Sequence, residues 1–432
     1  MIKKFLLFFL LYTLIYRPEF VFIPFGVNSF FGVCGIIVYT LGDNMRKRIS
    51  SQTAIAPVRL LKSIIPFVLV AVLSVIGNGS SDVFFVRYGI SIILGFFSAY
   101  LLACLFYDIY GEMKVDKLMK YILLAQFFFL IYGLLAFSDS RLADLIFSIT
   151  RFERASITMV NTEGTRLISL GENFFGAGVI NGFILILLAF WITYERTVPF
   201  KQMCLMIAFA FSFSISLMAA RTSIIGAGIG GIIVLISLLK NRKSFVKRFL
   251  IIVISISLLI PLTNIFFKAS SSNMDVLMRF GFEMFNRYEE TGEFTTHSTE
   301  TMLEFYDVRP DNIKTWVLGD AKWTEGKGGY YKHVDVGYLR CIFYFGILGL
   351  ISIFCYYFSV LKKIFYEKKI LSSIKGLELG VLFFYVFMLN FKGFADLYFL
   401  VIPFYFCSQN VGNRTLTGLK KRLYINRNNK NL

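Results

Sequence analysis

Residues that could carry acid–base chemistry are few in this sequence, and they lie in polar places between long apolar runs. The chain has two histidines, His297 and His333, and both fall in the polar stretch 268–336. His333 is the stronger candidate for a general base, because it borders an apolar run and imidazole exchanges a proton near neutral pH. Asp335 could orient the imidazole or cap the start of a helix. The alternative for His333 is an ordinary polar surface position.

The residues that follow His333 could support it in such a role. A helix that began by His333 would place His333, Gly337 and Arg340 on one face, with the glycine leaving space between the two side chains. Orientation of the imidazole by Asp335 would instead require a non-helical backbone, because residues two apart on a helix point in different directions. We therefore count Asp335, Tyr338 and Arg340 as supporting residues.

Three arginines are candidates for binding an anion. Arg166 precedes an apolar run, Arg221 lies in a tight turn between two apolar runs, and Arg279 lies in the amphipathic stretch 275–296. Guanidinium remains protonated and offers paired donors that match a phosphate group. The alternatives are contact with lipid headgroups for Arg166, an ion pair with a loop carboxylate for Arg221, and a solvated position for Arg279.

The sequence lacks the compact motifs that bind a metal ion or a nucleotide. HExxH, GxSxG, Walker-type and DxD patterns are absent, and two distant histidines make a weak metal site. All six cysteines lie within apolar runs, which excludes a disulfide framework or a CxxC site outside those runs. We expect neither a metal nor a cofactor.

The elements that must position these residues are membrane helices. Hydrophobic residues make up 56% of the chain, and apolar runs recur along its length. This pattern is typical of an all-α polytopic integral membrane protein, with about twelve transmembrane helices here. The predicted spans are 5–16, 20–41, 63–76, 83–106, 118–137, 173–194, 202–219, 222–239, 249–267, 337–361, 376–389 and 397–411.

The net charge of +18 is arranged in a way that indicates orientation and argues against nucleic-acid binding. Most of the 45 lysines and arginines lie in loops on one side of the predicted spans and in the C-terminal tail. Basic loops face the cytoplasm, so both termini are expected there, with the loop 268–336 outside. Nucleic-acid binding would need the basic residues to share one folded surface.

The predicted organisation has four parts. Residues 1–267 hold nine transmembrane helices with short loops, and residues 268–336 form one large external loop. Residues 337–411 hold three more transmembrane helices, and residues 412–432 form a basic cytoplasmic tail.

A set of short motifs runs along the chain in a fixed order. They are Arg166 with Gly171 and Asn173, Ala-Arg-Thr-Ser at 220–223, Arg279, Leu-Gly-Asp at 318–320, His-Val-Asp-Val-Gly-Tyr at 333–338, and Phe-Gly-Ile-Leu-Gly at 345–349. On the predicted frame of spans with one large loop, the chain resembles the bacterial O-antigen polymerases over most of its length. The related O-antigen ligases share much of the set.

The resemblance implies a GT-C-like, metal-independent glycosyltransferase of the bacterial inner membrane with one large periplasmic loop. It would transfer the growing glycan from undecaprenyl diphosphate to a hydroxyl of a new repeat unit. Carried over by the resemblance, Arg166 and Arg221 would hold the diphosphate, Arg279 would assist them, and His333 would take the proton from the attacking hydroxyl. Expected partners are the undecaprenyl-diphosphate-linked oligosaccharide, the lipid bilayer, a chain-length regulator and a flippase, without nucleic acid.

Two other functions compete with polymerisation. An O-antigen ligase would pass finished polymer to the lipid A core, and the motifs discriminate poorly between the two enzymes. A polysaccharide flippase would need a cationic cavity inside the helix bundle, whereas charges within the predicted spans are few. A purely structural membrane protein would leave Arg221 unexplained.

Overall fold

The computed structural model is all-helical over the residues that it describes. These are residues 1–53, 60–151, 166–194, 199–239, 280, 283–293, 295–325, 329–368 and 376–408. The α-helices within them, numbered in chain order, are α1 Ile2–Tyr16, α2 Val27–Leu41, α3 Asp43–Thr53, α4 Ile65–Asn78, α5 Phe84–Tyr110, α6 Val115–Ser138, α7 Ser140–Ile149, α8 Phe174–Tyr194, α9 Pro199–Ala219, α10 Ser223–Leu239, α11 Glu283–Thr291, α12 His297–Phe305, α13 Ile313–Leu318, α14 Gly337–Leu361, α15 Leu377–Asn390 and α16 Tyr398–Tyr405.

The helices agree with the prediction of a helical membrane protein. Within the described residues, five helices are long and apolar enough to cross a bilayer, namely α5, α6, α8, α9 and α14. Shorter apolar helices include α2, α4, α10 and α15. The predicted span 249–267 and the predicted tail 412–432 lie outside the described residues, so the count of twelve stays a prediction.

Helix α8 is the centre of the bundle. Its apolar residues cover the whole circumference, and most of them are buried by α9, α10 and other neighbours. Two hydroxyls tie it to other helices, because Tyr16 donates to Asn181 Oδ1 (3.0 Å) and Tyr385 donates to the carbonyl oxygen of Val179 (2.9 Å).

The approach of α10 to α8 depends on glycine. A Cβ at Gly226 would lie 2.2–2.4 Å from backbone atoms of Gly182, so the two helices can approach this closely because position 226 has no side chain. A Cβ at Gly228 or Gly231 would meet open space, so the close approach of α10 to α8 does not depend on these two glycines.

Helix α14 is broken in its N-terminal half, and the large loop packs against the break. Phe345 and Gly346 have non-helical dihedral angles, which removes carbonyl oxygens of the first turns from the helical ladder. The amides of Asp320 and Ala321 donate to the carbonyl oxygens of Phe343 (2.6 Å) and Tyr344 (2.8 Å). The Leu-Gly-Asp and Phe-Gly motifs are therefore in contact.

We predict that Gly226→Ala destabilises the protein while Gly228→Ala does not. The new methyl group at position 226 would overlap the Gly182 backbone, and such overpacking typically costs about 1–3 kcal/mol. The methyl group at position 228 meets open space and raises helix propensity. Thermal unfolding of the detergent-solubilised variants measures the difference, and equal melting temperatures would contradict the close approach of α8 and α10.

Candidate functional site

The site lies at one end of the helix bundle. The C-terminal ends of α1, α9 and α15 meet there with the N-terminal ends of α5, α8, α10, α14 and α16. These are the ends that the charge pattern assigns to the outside of the membrane. Alternating helix direction therefore brings Arg166, Arg221 and Arg340 to the same side of the bundle.

The segment that carries Arg166 is held in place before α8. The amide of Leu167 donates to the carbonyl oxygen of Met218 (3.1 Å) at the end of α9. Gly171 has a φ of 132°, and a Cβ there would lie 2.5 Å from the carbonyl oxygen of Tyr16. Only glycine fits this conformation and this contact, which gives the Gly171 of the motif a structural reason.

Arg221 lies in the turn between α9 and α10 and forms an ion pair with Glu283 at the start of α11. Its side chain is 15% exposed. The alternative considered for Arg221, pairing with a loop carboxylate, is therefore what the structure contains. This pair does not explain why a second cation, Arg166, lies beside Arg221.

Arg166 and Arg221 meet at the ring of Phe280. Their Cζ atoms lie 4.6 Å and 4.3 Å from the ring centroid, within the usual range of cation–π contacts. Burial, with the charge of Arg166 as a second cause, lowers the pKa of Arg221 to about 10, so the guanidinium group of Arg221 remains charged at neutral pH. The structure thus brings together two of the three arginines predicted to bind diphosphate. Arg279 lies outside the described residues.

Lys392 is a third cation of the site, and sequence analysis missed it. Burial, together with the charges of Arg221 and Arg166, lowers the pKa of Lys392 to about 8, against the opposing effect of Asp335. The turn after α15 carries this lysine, and a Cβ at Gly337 would lie 2.6 Å from the Gly393 carbonyl oxygen of the same turn. A basic residue in a short turn on the predicted external side was the signal that could have found it.

Arg340 is the most enclosed charged group of the site. It is 8% exposed, and its Cζ lies 3.6 Å from the ring centroid of Trp323 and 3.9 Å from that of Tyr330. Its Nη1 lies 3.5 Å from Asp335 Oδ1. Burial raises the pKa of Asp335 to about 6, although Arg340 and Lys392 act in the opposite direction.

A cavity of about 420 Å³ opens beside this pair. Its volume falls within the roughly 300–1,000 Å³ that is usual for small-molecule sites. Arg17 and Glu172 form an ion pair (3.0 Å) in its wall. The charged residues that line it are Arg17, Glu172, Asp335, Arg340 and Asp396, with aromatic rings that include Phe84, Tyr88 and Tyr330.

His333 lies apart from this cavity's lining. Its side chain is 85% exposed, and its Nε2 lies 3.8 Å from Glu325 Oε2. The helix does not begin by His333, because Lys332 and His333 adopt left-handed φ values and α14 begins at Gly337. The expectation that His333, Gly337 and Arg340 share one helical face is therefore wrong. The catalytic role of His333 stays a prediction.

Tyr338 joins two helices at the site. Its hydroxyl donates to the carbonyl oxygen of Phe387 in α15 (2.7 Å), and its ring packs on Phe391 with the centroids 4.9 Å apart. This contact supports the position of α14, which carries Arg340, against the turn that carries Lys392.

Metal binding has no candidate cluster in the part of the chain that the structure describes, where no three His, Cys, Asp or Glu side chains are grouped suitably. The metal-independent chemistry expected from the sequence stays a prediction. All six cysteines are free.

Comparison of the chain with models of known protein families, with curated proteins and with solved structures found no match in any of the three. The resemblance to O-antigen polymerases therefore rests on the quoted motifs, and any function has to be argued from the site itself.

We predict that Lys392→Met changes how stability depends on pH. The folded protein binds this proton less readily than the unfolded chain, because the pKa is about 8 and not the ordinary value of about 10.4. Stability of the wild type should therefore rise with pH above about 8. The methionine variant should lose this rise and should melt at a higher temperature than the wild type at pH 7.

Thermal unfolding in detergent between neutral and alkaline pH measures this effect. Lys314→Met serves as the control, because Lys314 is an exposed lysine of α13. Identical pH dependence in the wild type and Lys392→Met would contradict the lowered pKa of Lys392.

Proposed function

We propose that the protein is an O-antigen polymerase that joins undecaprenyl-diphosphate-linked repeat units at the periplasmic face of the bacterial inner membrane. The observation that carries the proposal is the convergence of Arg166, Arg221 and Lys392 at the predicted external ends of apolar helices. Like charges that are partly buried together raise the free energy of the site. An anion that binds between them offsets this cost.

A lipid-linked diphosphate has the right chemistry for this place. Its diphosphate carries several negative charges, and its isoprenoid chain can remain in the bilayer while the headgroup reaches the helix ends. Arginine supports transfer from such a donor, because it stays protonated and its planar fork donates two parallel hydrogen bonds to phosphate. Each charge-assisted bond is worth about 1.5–3 kcal/mol.

The cations would act mainly as the reaction proceeds. When the bond between the sugar and the diphosphate breaks, negative charge collects on the departing oxygen. Fixed donors aimed at that oxygen stabilise the transition state more than the ground state, which lowers the barrier. Arg166 and Arg221 supply this stabilisation, and Lys392 adds a point charge beside them.

Glu283 has a definite place in this proposal. It neutralises Arg221 while the site is empty, and a diphosphate with more negative charge displaces it. If the ion pair between Arg221 and Glu283 were purely structural, removal of either residue would be equally damaging. The two interpretations of Arg221 therefore differ in what happens when Glu283 is removed.

We predict that Arg166→Gln and Arg221→Gln lose long O-antigen while Glu283→Gln retains it. Loss of one arginine contact worth about 1.5–3 kcal/mol lowers the rate roughly 10- to 150-fold. Lipopolysaccharide from a deletion strain that carries each variant is resolved on a gel, and immunoblots of the membranes measure protein level. Arg309→Ala, an exposed arginine of the large loop, is the matched control.

The pattern of bands separates the alternatives. Core with a single repeat in the deletion strain and in both arginine variants supports a polymerase. Core without any repeat in the deletion strain indicates a ligase or a flippase, and the polymerase proposal is then withdrawn. Loss of polymer in Glu283→Gln equal to that in Arg221→Gln would reduce Arg221 to a structural role.

A further inference from the structure

The cavity beside Arg340 differs in electrostatic character from the arginine cluster. Carboxylates of Glu172, Asp335 and Asp396 outnumber the guanidinium groups of Arg17 and Arg340 among its lining residues. Arg17 pairs with Glu172 and Arg340 pairs with Asp335, so neither arginine of the described lining is an uncompensated cation that would hold an anion. A neutral ligand rich in hydroxyl groups is favoured, because hydroxyls donate to carboxylates and accept from guanidinium.

One buried polar atom in the lining residues points to such a ligand. Arg340 Nε, on a residue that is more than nine-tenths buried, is a donor without a hydrogen-bond partner among the described residues. An unsatisfied buried polar atom is costly and calls for an explanation. A sugar hydroxyl can accept from Arg340 Nε, and the rings of Tyr88 and Tyr330 offer apolar faces for a sugar ring.

Asp335 belongs to both sites. It lines the cavity, and Arg340 holds it from one side while the rings of Trp323 and Tyr330 fix the guanidinium of Arg340. Its charge also acts on Lys392, which in turn experiences the charges of Arg166 and Arg221. Asp335 therefore lines the space for a sugar and acts electrostatically on Lys392, one of the cations proposed to hold the leaving group.

We propose that the cavity holds the non-reducing sugar of the acceptor and that Asp335 is the catalytic base. This inference rests on the proposed function of the arginine cluster. The acceptor hydroxyl attacks the anomeric carbon of the donor and forms the new carbon–oxygen bond. The bond from that carbon to the diphosphate oxygen breaks, with its electron pair leaving on the diphosphate, and the hydroxyl proton passes to the Asp335 carboxylate.

The acid–base properties of Asp335 suit this step. With its pKa at about 6, most of the group is ionised at neutral pH, yet it is more basic than an ordinary aspartate. The charged groups that act on it are Arg340 from α14 and Lys392 from the turn after α15. His333, by contrast, lies on an exposed turn beside Glu325.

The test uses the purified full-length protein with lipid-linked repeat units extracted from the deletion strain. We expect Asp335→Asn to lower turnover by about 10²- to 10⁴-fold, the usual worth of a general base. Thermal stabilisation by undecaprenyl diphosphate should persist in Asp335→Asn, which shows that the variant folds and that the arginine cluster still binds. Asp307→Asn, an exposed aspartate of the same loop, is the matched control.

The pH profile adds a readout that a structural role would not move. The wild-type kcat/KM for the donor, which reports the enzyme before the donor binds, should rise through about pH 6 as Asp335 loses its proton, and this limb should be absent from the residual activity of Asp335→Asn. Wild-type turnover in Asp335→Asn would overturn the inference, and so would a loss in His333→Gln as large as that in Asp335→Asn. Normal turnover in Arg221→Gln would instead overturn the proposed function, so the two failures are distinguishable.

Discussion

The break in α14 at Phe345 and Gly346 is the constraint on which the predicted external side of the bundle depends. Backbone carbonyl groups that leave a helical ladder in an apolar bundle must find donors nearby, or each costs several kcal/mol. Here the loop amides of Asp320 and Ala321 supply those donors. Gly346 makes the approach feasible, because it adopts a φ of 70° and a Cβ there would lie 2.1 Å from the Val317 carbonyl oxygen.

The hydrogen bonds at this break help to hold the large loop on the bundle, and no disulfide is involved. Ser74 of α4 donates to the same Tyr344 carbonyl oxygen (2.8 Å), and Asp82 accepts from the amide of Trp323 (2.7 Å). The loop is thus fixed against α4, α5 and α14 together. Trp323 then provides one face of the aromatic pair around Arg340, so the break in the helix and the placement of the buried arginine are parts of one arrangement.

Sequence reasoning located the site better than it described the groups within it. Arg166 and Arg221 were predictable, because an arginine in a short external loop opposes the usual charge bias and asks for a reason. The same charge bias applies to Lys392, because its short turn between two predicted spans lies on the predicted external side. The predicted span 337–361 agrees with α14, but nothing in the local sequence signals the left-handed backbone at Lys332 and His333 that keeps His333 off this helix. The meeting of Phe280 with both arginines depends on tertiary packing, which residue spacing does not reveal.

The two adjoining sites give Asp335 a property that neither would give alone. While the arginine cluster is empty, the positive charge of Lys392 favours the ionised carboxylate and makes it a weaker base. On the proposed mechanism, a bound diphosphate offsets the charge of Lys392, so the pKa of Asp335 rises and its affinity for the acceptor's proton increases. Arg340, which favours the ionised carboxylate more strongly than Lys392 does, lies outside the arginine cluster and keeps its effect, so the donor strengthens the base only in part.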